Sequence, residues 1–84
     1  MQHPQYGFSY AVTTGTYVGE IFVFVDSNED EYQFISIPKN INRSIPKDKF
    51  EFALDNQIID PFQQIDSDVF ELLEKQFEYN NQKH

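Results

Sequence analysis

The sequence predicts a small α+β fold: a three-stranded antiparallel β-meander packed against one or more C-terminal helices. Three observations support this fold class. The chain has 84 residues, which is enough for a single domain, residues 1–84. Aromatic residues make up 17% of it, so a few rings can form the core of a small domain. The apolar residues have strand-like patterns in the first half and a helical spacing near the end.

Three segments of the first half have strand composition: residues 6–12, 17–25 and 32–37. Residues 17–25 form the clearest of them, because apolar side chains point to both faces, as in a central strand covered on both sides. The connections are short: a turn at residues 13–16 containing Gly15, and a polar loop at residues 26–30. Short connections between such strands predict an antiparallel meander.

Residues 47–54 fit two patterns. Pro46 suits the first turn of a helix, and Ser44 is a candidate cap. The residues at helical spacing are Phe50, Ala53 and Leu54. The residues that alternate, as in a strand, are Phe50, Phe52 and Leu54. We favour a helix, with a fourth strand as the alternative. Ile58 and Ile59 are expected to be buried, and Pro61 should stop any helix before it.

The last helix has the clearest start. Asp66, Ser67 and Asp68 can cap it, and Asn80 with Asn81 is a suitable end. Its apolar stripe is Val69, Phe70, Leu73 and Phe77, with Leu72 and Tyr79 at the margins. Glu71, Glu74 and Glu78 line the opposite side. We expect this helix to lie flat on the sheet, and residues 1–5 and 80–84 to be frayed.

Composition excludes several function classes. The net charge of −8 disfavours direct binding to nucleic acid or to an anionic membrane. No Cys is present, so thiol chemistry and Cys-ligated zinc are excluded. The two His residues, His3 and His84, stand at opposite ends of the chain, which disfavours both a zinc site and a Ser–His–acid triad. We therefore expect no catalytic residue, no metal and no cofactor. The absence of a basic start followed by an apolar run predicts a cytoplasmic protein.

Two charged segments receive structural interpretations. Residues 26–31 match the first three ligand positions of a calcium-binding loop, at Asp26, Asn28 and Asp30, but Glu31 stands where that loop needs Gly. We interpret the segment as a solvated hairpin. Residues 39–49, the basic segment, carry four cations, Lys39, Arg43, Lys47 and Lys49, and we expect this segment to lie near the acidic last helix.

We expect the chain to be a small, acidic, non-enzymatic module for protein interaction or regulation. One alternative is an inhibitor that mimics nucleic acid and occupies a DNA-binding protein; another is a small enzyme. A binding surface on the helix would use Glu71, Glu74 and Glu78. A binding surface on the sheet would use Tyr10, Tyr17 and Tyr32, because phenols tolerate half-exposure. Self-association through a sheet edge is a further expectation about partners.

Overall fold

The computed structural model describes residues 3–82. A five-stranded antiparallel sheet, in the order β4-β3-β2-β1-β5, lies between two helices. In chain order the elements are β1 (Phe8–Val12), β2 (Ile21–Ser27), β3 (Glu31–Ile37), β4 (Ile41–Pro46), α1 (Lys47–Asp55), β5 (Ile59–Gln64) and α2 (Ser67–Gln82). This confirms the predicted α+β class with an antiparallel meander and a C-terminal helix. His84 and the outer parts of the segments expected to fray, residues 1–2 and 83–84, lie outside the described residues.

The sheet has more strands than the predicted meander, because two short edge strands join it. β4 occupies part of the basic segment and pairs only with β3. β5 contains Pro61, which pairs with Tyr10 of β1. Pro lacks an N–H group, and an edge strand tolerates it because one side of the strand has no neighbour. Residues 47–54 belong to helix α1, so the favoured alternative is confirmed.

Three local predictions are wrong. Ser44 lies inside β4 and does not cap α1; Pro46 occupies the cap position without a side-chain hydrogen bond. The central strand begins at Ile21, not at residue 17, because residues 13–20 form turns. Gly15 and Gly19 have φ of 94° and 91° in these turns, a conformation that favours glycine. α2 continues to Gln82, past its predicted end at residues 80–81.

Each face of the sheet has its own apolar cluster. The cluster under α1 includes Tyr10, Phe22, Phe34, Phe50 and Leu54. The cluster under α2 includes Val23, Val25, Ile35 and Phe77. β2 is the middle strand and supplies residues to both clusters, as its two-sided apolar pattern predicted.

α2 packs on the sheet, as predicted, and its C-terminal end is held by amide side chains. Phe77 is buried, and the amide of Asn42 in β4 donates to the Phe77 carbonyl at 3.0 Å. The amide of Asn80 donates to the Asn40 carbonyl at 2.9 Å. Val69, expected in the buried stripe, is 46% exposed, because the packed face of α2 is centred on Phe70, Leu73 and Phe77.

Candidate functional site

The tyrosines expected on a binding surface are mostly core residues. Tyr10 and Tyr32 are 4% and 6% exposed, so the half-exposure expected of them is wrong. The physical reason is that each hydroxyl finds a partner inside the fold: Tyr10 accepts from the Gln5 N–H at 2.9 Å, and Tyr32 donates to Glu51 at 2.7 Å. Tyr17 is exposed, and the guanidinium of Arg43 lies 4.2 Å from its ring centroid.

Glu20 forms a buried ionic network that sequence reasoning missed. Arg43 donates to both of its carboxylate oxygens, at 3.1 and 2.9 Å, and the Ser36 hydroxyl donates at 2.5 Å. Lys39 lies 3.4 Å away. The hydrogen bond from Arg43 is the main cause that lowers the pKa of Glu20 to about 2. In the β3–β4 pairing, Ser36 lies opposite Ile41, and Arg43 lies two residues further along β4. The sequence does not show that Ser36 and Arg43 are close, because this depends on β4 pairing with β3.

A second buried carboxylate joins the N-terminal segment to α1. Glu51 accepts from Tyr32 and lies 3.0 Å from Nδ1 of His3. The Tyr32 hydrogen bond, followed by the contact with His3, lowers the pKa of Glu51. Burial, and then the Glu51 carboxylate, raise the pKa of Tyr32 to about 12. Among the described residues, the His3 ring contacts the Tyr32 hydroxyl and the Glu51 carboxylate, and these contacts hold the N-terminal segment in place. This cluster contains no Ser or Thr hydroxyl.

Two exposed carboxylates of α2 line the same depression as a carboxylate of the sheet. Glu74 and Glu78 lie one turn apart on α2, and together with Asp26 of β2 they line a depression of about 340 Å³. The buried side chains of Val25 and Phe77, with Asn81, complete its lining. We call Asp26, Glu74 and Glu78 the acidic face. Glu71, the third predicted helix residue, is exposed near this face and lies 3.8 Å from Lys75.

No cation of residues 3–82 pairs with the acidic face. Among residues 3–82, the ion pairs join His3 to Glu51, Lys39 and Arg43 to Glu20, and Lys75 to Glu71. The basic segment was expected to lie near α2, and its strand β4 does contact α2. Two of its cations, Lys39 and Arg43, nevertheless pair with Glu20. β4 explains this pairing: Arg43 and Ile45 lie on the sheet face that packs under α1, whereas Asn42, the residue before Arg43, lies on the opposite face and reaches α2.

The structure assigns a turn to the segment that resembles part of a calcium-binding loop. The side-chain oxygen of Asn28 accepts from the N–H groups of Asp30 and Glu31, at 2.9 and 2.8 Å, so it closes the β2–β3 hairpin. Within the described part of the chain, no group of three or more His, Asp or Glu side chains could hold a metal ion. Neither helix of residues 3–82 is long and apolar enough to cross a membrane.

The site residues differ in how far the sequence could reveal them. The helical spacing of Glu71, Glu74 and Glu78 could be recognised in the sequence. That Asp26 lies close to Glu74 and Glu78 could not, because it depends on how α2 crosses the sheet. Comparison of the chain with protein-family models, with curated proteins and with solved structures gave no match.

Proposed function

We propose that this chain is a non-enzymatic protein-binding module, and that its acidic face binds a basic segment of a partner protein. One observation carries the proposal. Two elements far apart in sequence bring Asp26 to the depression that Glu74 and Glu78 line, and none of these three carboxylates pairs with a cation among the described residues. Like charges placed together destabilise a fold, so a cationic partner would relieve their repulsion.

The chemistry of the depression suits a Lys or Arg side chain. Such a side chain carries its charge at the end of an apolar stem. The carboxylates would pair with the charge, and the stem would lie along the apolar surface of Val25 and Phe77. Asn81 adds a polar amide to the same lining. Rim charges of this kind accelerate association and select the partner more than they raise affinity.

The experiment measures binding of a synthetic Lys- and Arg-rich peptide by calorimetry. The test variant is Glu74→Gln with Glu78→Gln. The matched control is Asp48→Asn with Asp55→Asn, which removes the same charge from exposed positions on α1. We expect the test variant to weaken binding about five- to twentyfold, as for the loss of two exposed ion pairs, and the control to change it less than twofold.

Salt provides a second measurement on the same complex. Binding should weaken as NaCl rises from about 50 to about 300 mM, because charge pairs at a surface are screened. Equal losses in the test and control variants would mean that the peptide responds only to net charge. That result, or binding that salt leaves unchanged, contradicts the proposal.

Mimicry of a nucleic-acid backbone is the second candidate function. The observation that favours it is that Asp26 of β2 adds a third carboxylate beside Glu74 and Glu78 of α2. The spacing is against it: Glu71, Glu74 and Glu78 alone give one charge per ~5 Å of helix, whereas duplex DNA has one per ~1.7 Å. Asp66, which a denser row would need, lines a different depression with Val69. A duplex-binding protein used as the probe in the same assay separates the two functions.

A further inference from the structure

A second cavity lies on the other face of the sheet, under α1. Its volume is about 330 Å³, it is open to solvent on one side, and it is lined by residues of α1, of β4 and of the turn between β1 and β2 (residues 13–20). That volume is near the lower limit for small-molecule pockets and corresponds to roughly eleven water molecules. Because the acidic face belongs to the α2 side of the sheet, this cavity is independent of the proposed function.

The inner lining of the cavity is apolar. Its apolar residues include Val12, Phe22, Ile45, Ala53, Ile58 and Ile59. Phe22 is fully buried, so a ligand would contact the half-buried Ile45 and Ile58 and the exposed ring of Tyr17. Removing such surface from water favours a ligand with an apolar body.

The rim of the cavity is cationic. Arg43 and Lys49 both line it, together with the hydroxyl-bearing residues Thr14, Thr16 and Ser44. The guanidinium of Arg43 is committed to Glu20 and to the Tyr17 ring. Lys49 is exposed and takes part in none of the ion pairs of residues 3–82. The ammonium group of Lys49 is therefore available to pair with an anion at the rim.

A single unpaired ammonium group matches a singly charged anion better than a doubly charged phosphate. Phosphate groups are commonly bound by the fork of an Arg side chain, and Glu20 already occupies the fork of Arg43. We infer that this cavity binds a small monocarboxylate with an apolar body: the carboxylate pairs with Lys49, and the body lies against Ile45, Ile58 and Tyr17. Octanoate, with about ten non-hydrogen atoms, matches the volume of the cavity.

The test is an NMR titration of the ¹⁵N-labelled full chain with octanoate. 1-Octanol has the same chain length without the charge, and acetate has the charge without the chain. We expect octanoate to shift the amide signals of Gly15, Ile45, Lys49 and Ile58, and to bind more tightly than either comparison compound. Shifts confined to α2, or equal affinity for octanoate and octanol, overturn the inference.

Two lysine variants test the charge pairing. Lys49→Gln should weaken octanoate binding about three- to fivefold, in line with an exposed ion pair, and should leave octanol binding unchanged. Lys47→Gln is the matched control, because the Lys47 ammonium lies 5.4 Å from the Tyr32 ring and does not line the cavity. The inference is wrong if both variants bind octanoate as the parent does, or if both lose it equally.

Discussion

Two carboxylates, Glu20 and Glu51, are buried in this small fold, and both are hydrogen-bonded. Glu20 is 6% exposed, yet it accepts hydrogen bonds from Arg43 and Ser36. Glu51 is 7% exposed and is held by Tyr32 and His3. No described buried side-chain nitrogen or oxygen lacks a partner. A buried charge is tolerated only when it is paired and hydrogen-bonded, so both carboxylates depend on residues from other strands or from the N-terminal segment.

Glu20 should make the stability of the fold sensitive to acid. Its pKa is about 2 in the folded chain, against an ordinary value of 4.5. A lowered pKa in the folded state means that the contribution of Glu20 is complete above about pH 4.5 and is lost as the pH falls towards 2. We expect Glu20→Gln to reduce the free energy of unfolding by about 1–3 kcal/mol at pH 7, and by much less near pH 2.

Urea denaturation of the parent and the variant at several pH values checks this. Glu29→Gln, at an exposed position in the β2–β3 hairpin, is the control and should leave the stability curve unchanged within about 0.5 kcal/mol. A difference between parent and Glu20→Gln that stays constant from pH 7 to pH 2 would show that the carboxylate does not carry the effect.

The two helices stabilise the sheet through different faces, and each depends on aromatic contacts. Phe50 of α1 is fully buried, with its ring centroid 4.8 Å from that of Phe34 and 5.4 Å from that of Tyr10. On the other face, α2 contributes one buried ring, Phe77, which packs against the strands. α2 therefore packs through the buried Phe77 with the half-buried Phe70 and Leu73 beside it, whereas α1 belongs to a continuous aromatic cluster.

Truncating a ring on either face should destabilise the whole fold. We expect Phe22→Ala and Phe77→Ala each to lower the free energy of unfolding by about 3–5 kcal/mol, because each leaves a cavity in its cluster. Phe52→Ala is the matched control, since Phe52 of α1 is 62% exposed, and it should change stability by less than about 0.5 kcal/mol. Urea denaturation measures all three. A Phe77→Ala variant as stable as Phe52→Ala would show that α2 does not pack on the sheet in solution.

The elements that could be predicted from the sequence are those whose own residues determine their structure. The first five residues of β2 are all β-branched or aromatic, and α2 has a helical apolar stripe ending in Phe77, so both elements were recognised. β4 has two widely spaced Ile residues, and β5 contains Pro61, so each is a strand only because a neighbour pairs with it. The same holds for the candidate site. The glutamates of α2 could be predicted from their helical spacing, whereas the positions of Asp26 and of the partners of Glu20 depend on tertiary packing.

On the scale of the whole molecule, the acidic face and the cationic rim of the α1 cavity lie on opposite sides of the sheet. The cations Lys39, Arg43 and Lys49 lie around β4 and the start of α1, where Glu20 offsets part of their charge. The acidic face lies on the α2 side with no paired cation among the described residues. With a net charge of −8, the molecule would repel most anions, yet it presents a local cationic rim at the α1 cavity. The two proposed sites therefore select ligands of opposite charge.

The acidic face should reduce the stability of the free protein, and salt should reveal this. Glu74 and Glu78 are like charges four residues apart on a helix, an arrangement that destabilises by about 0.2–0.5 kcal/mol at low ionic strength. We expect the Glu74→Gln, Glu78→Gln variant to be more stable than the parent at about 10 mM NaCl, and the gap to close at about 300 mM, because screening removes the repulsion in the parent. Urea denaturation at both salt concentrations measures the gap, with Asp48→Asn, Asp55→Asn as the control for net charge. If the control gains as much stability as the test variant, the repulsion belongs to the overall charge. If the control gains less stability, the repulsion is local to Glu74 and Glu78, and a basic partner would relieve it.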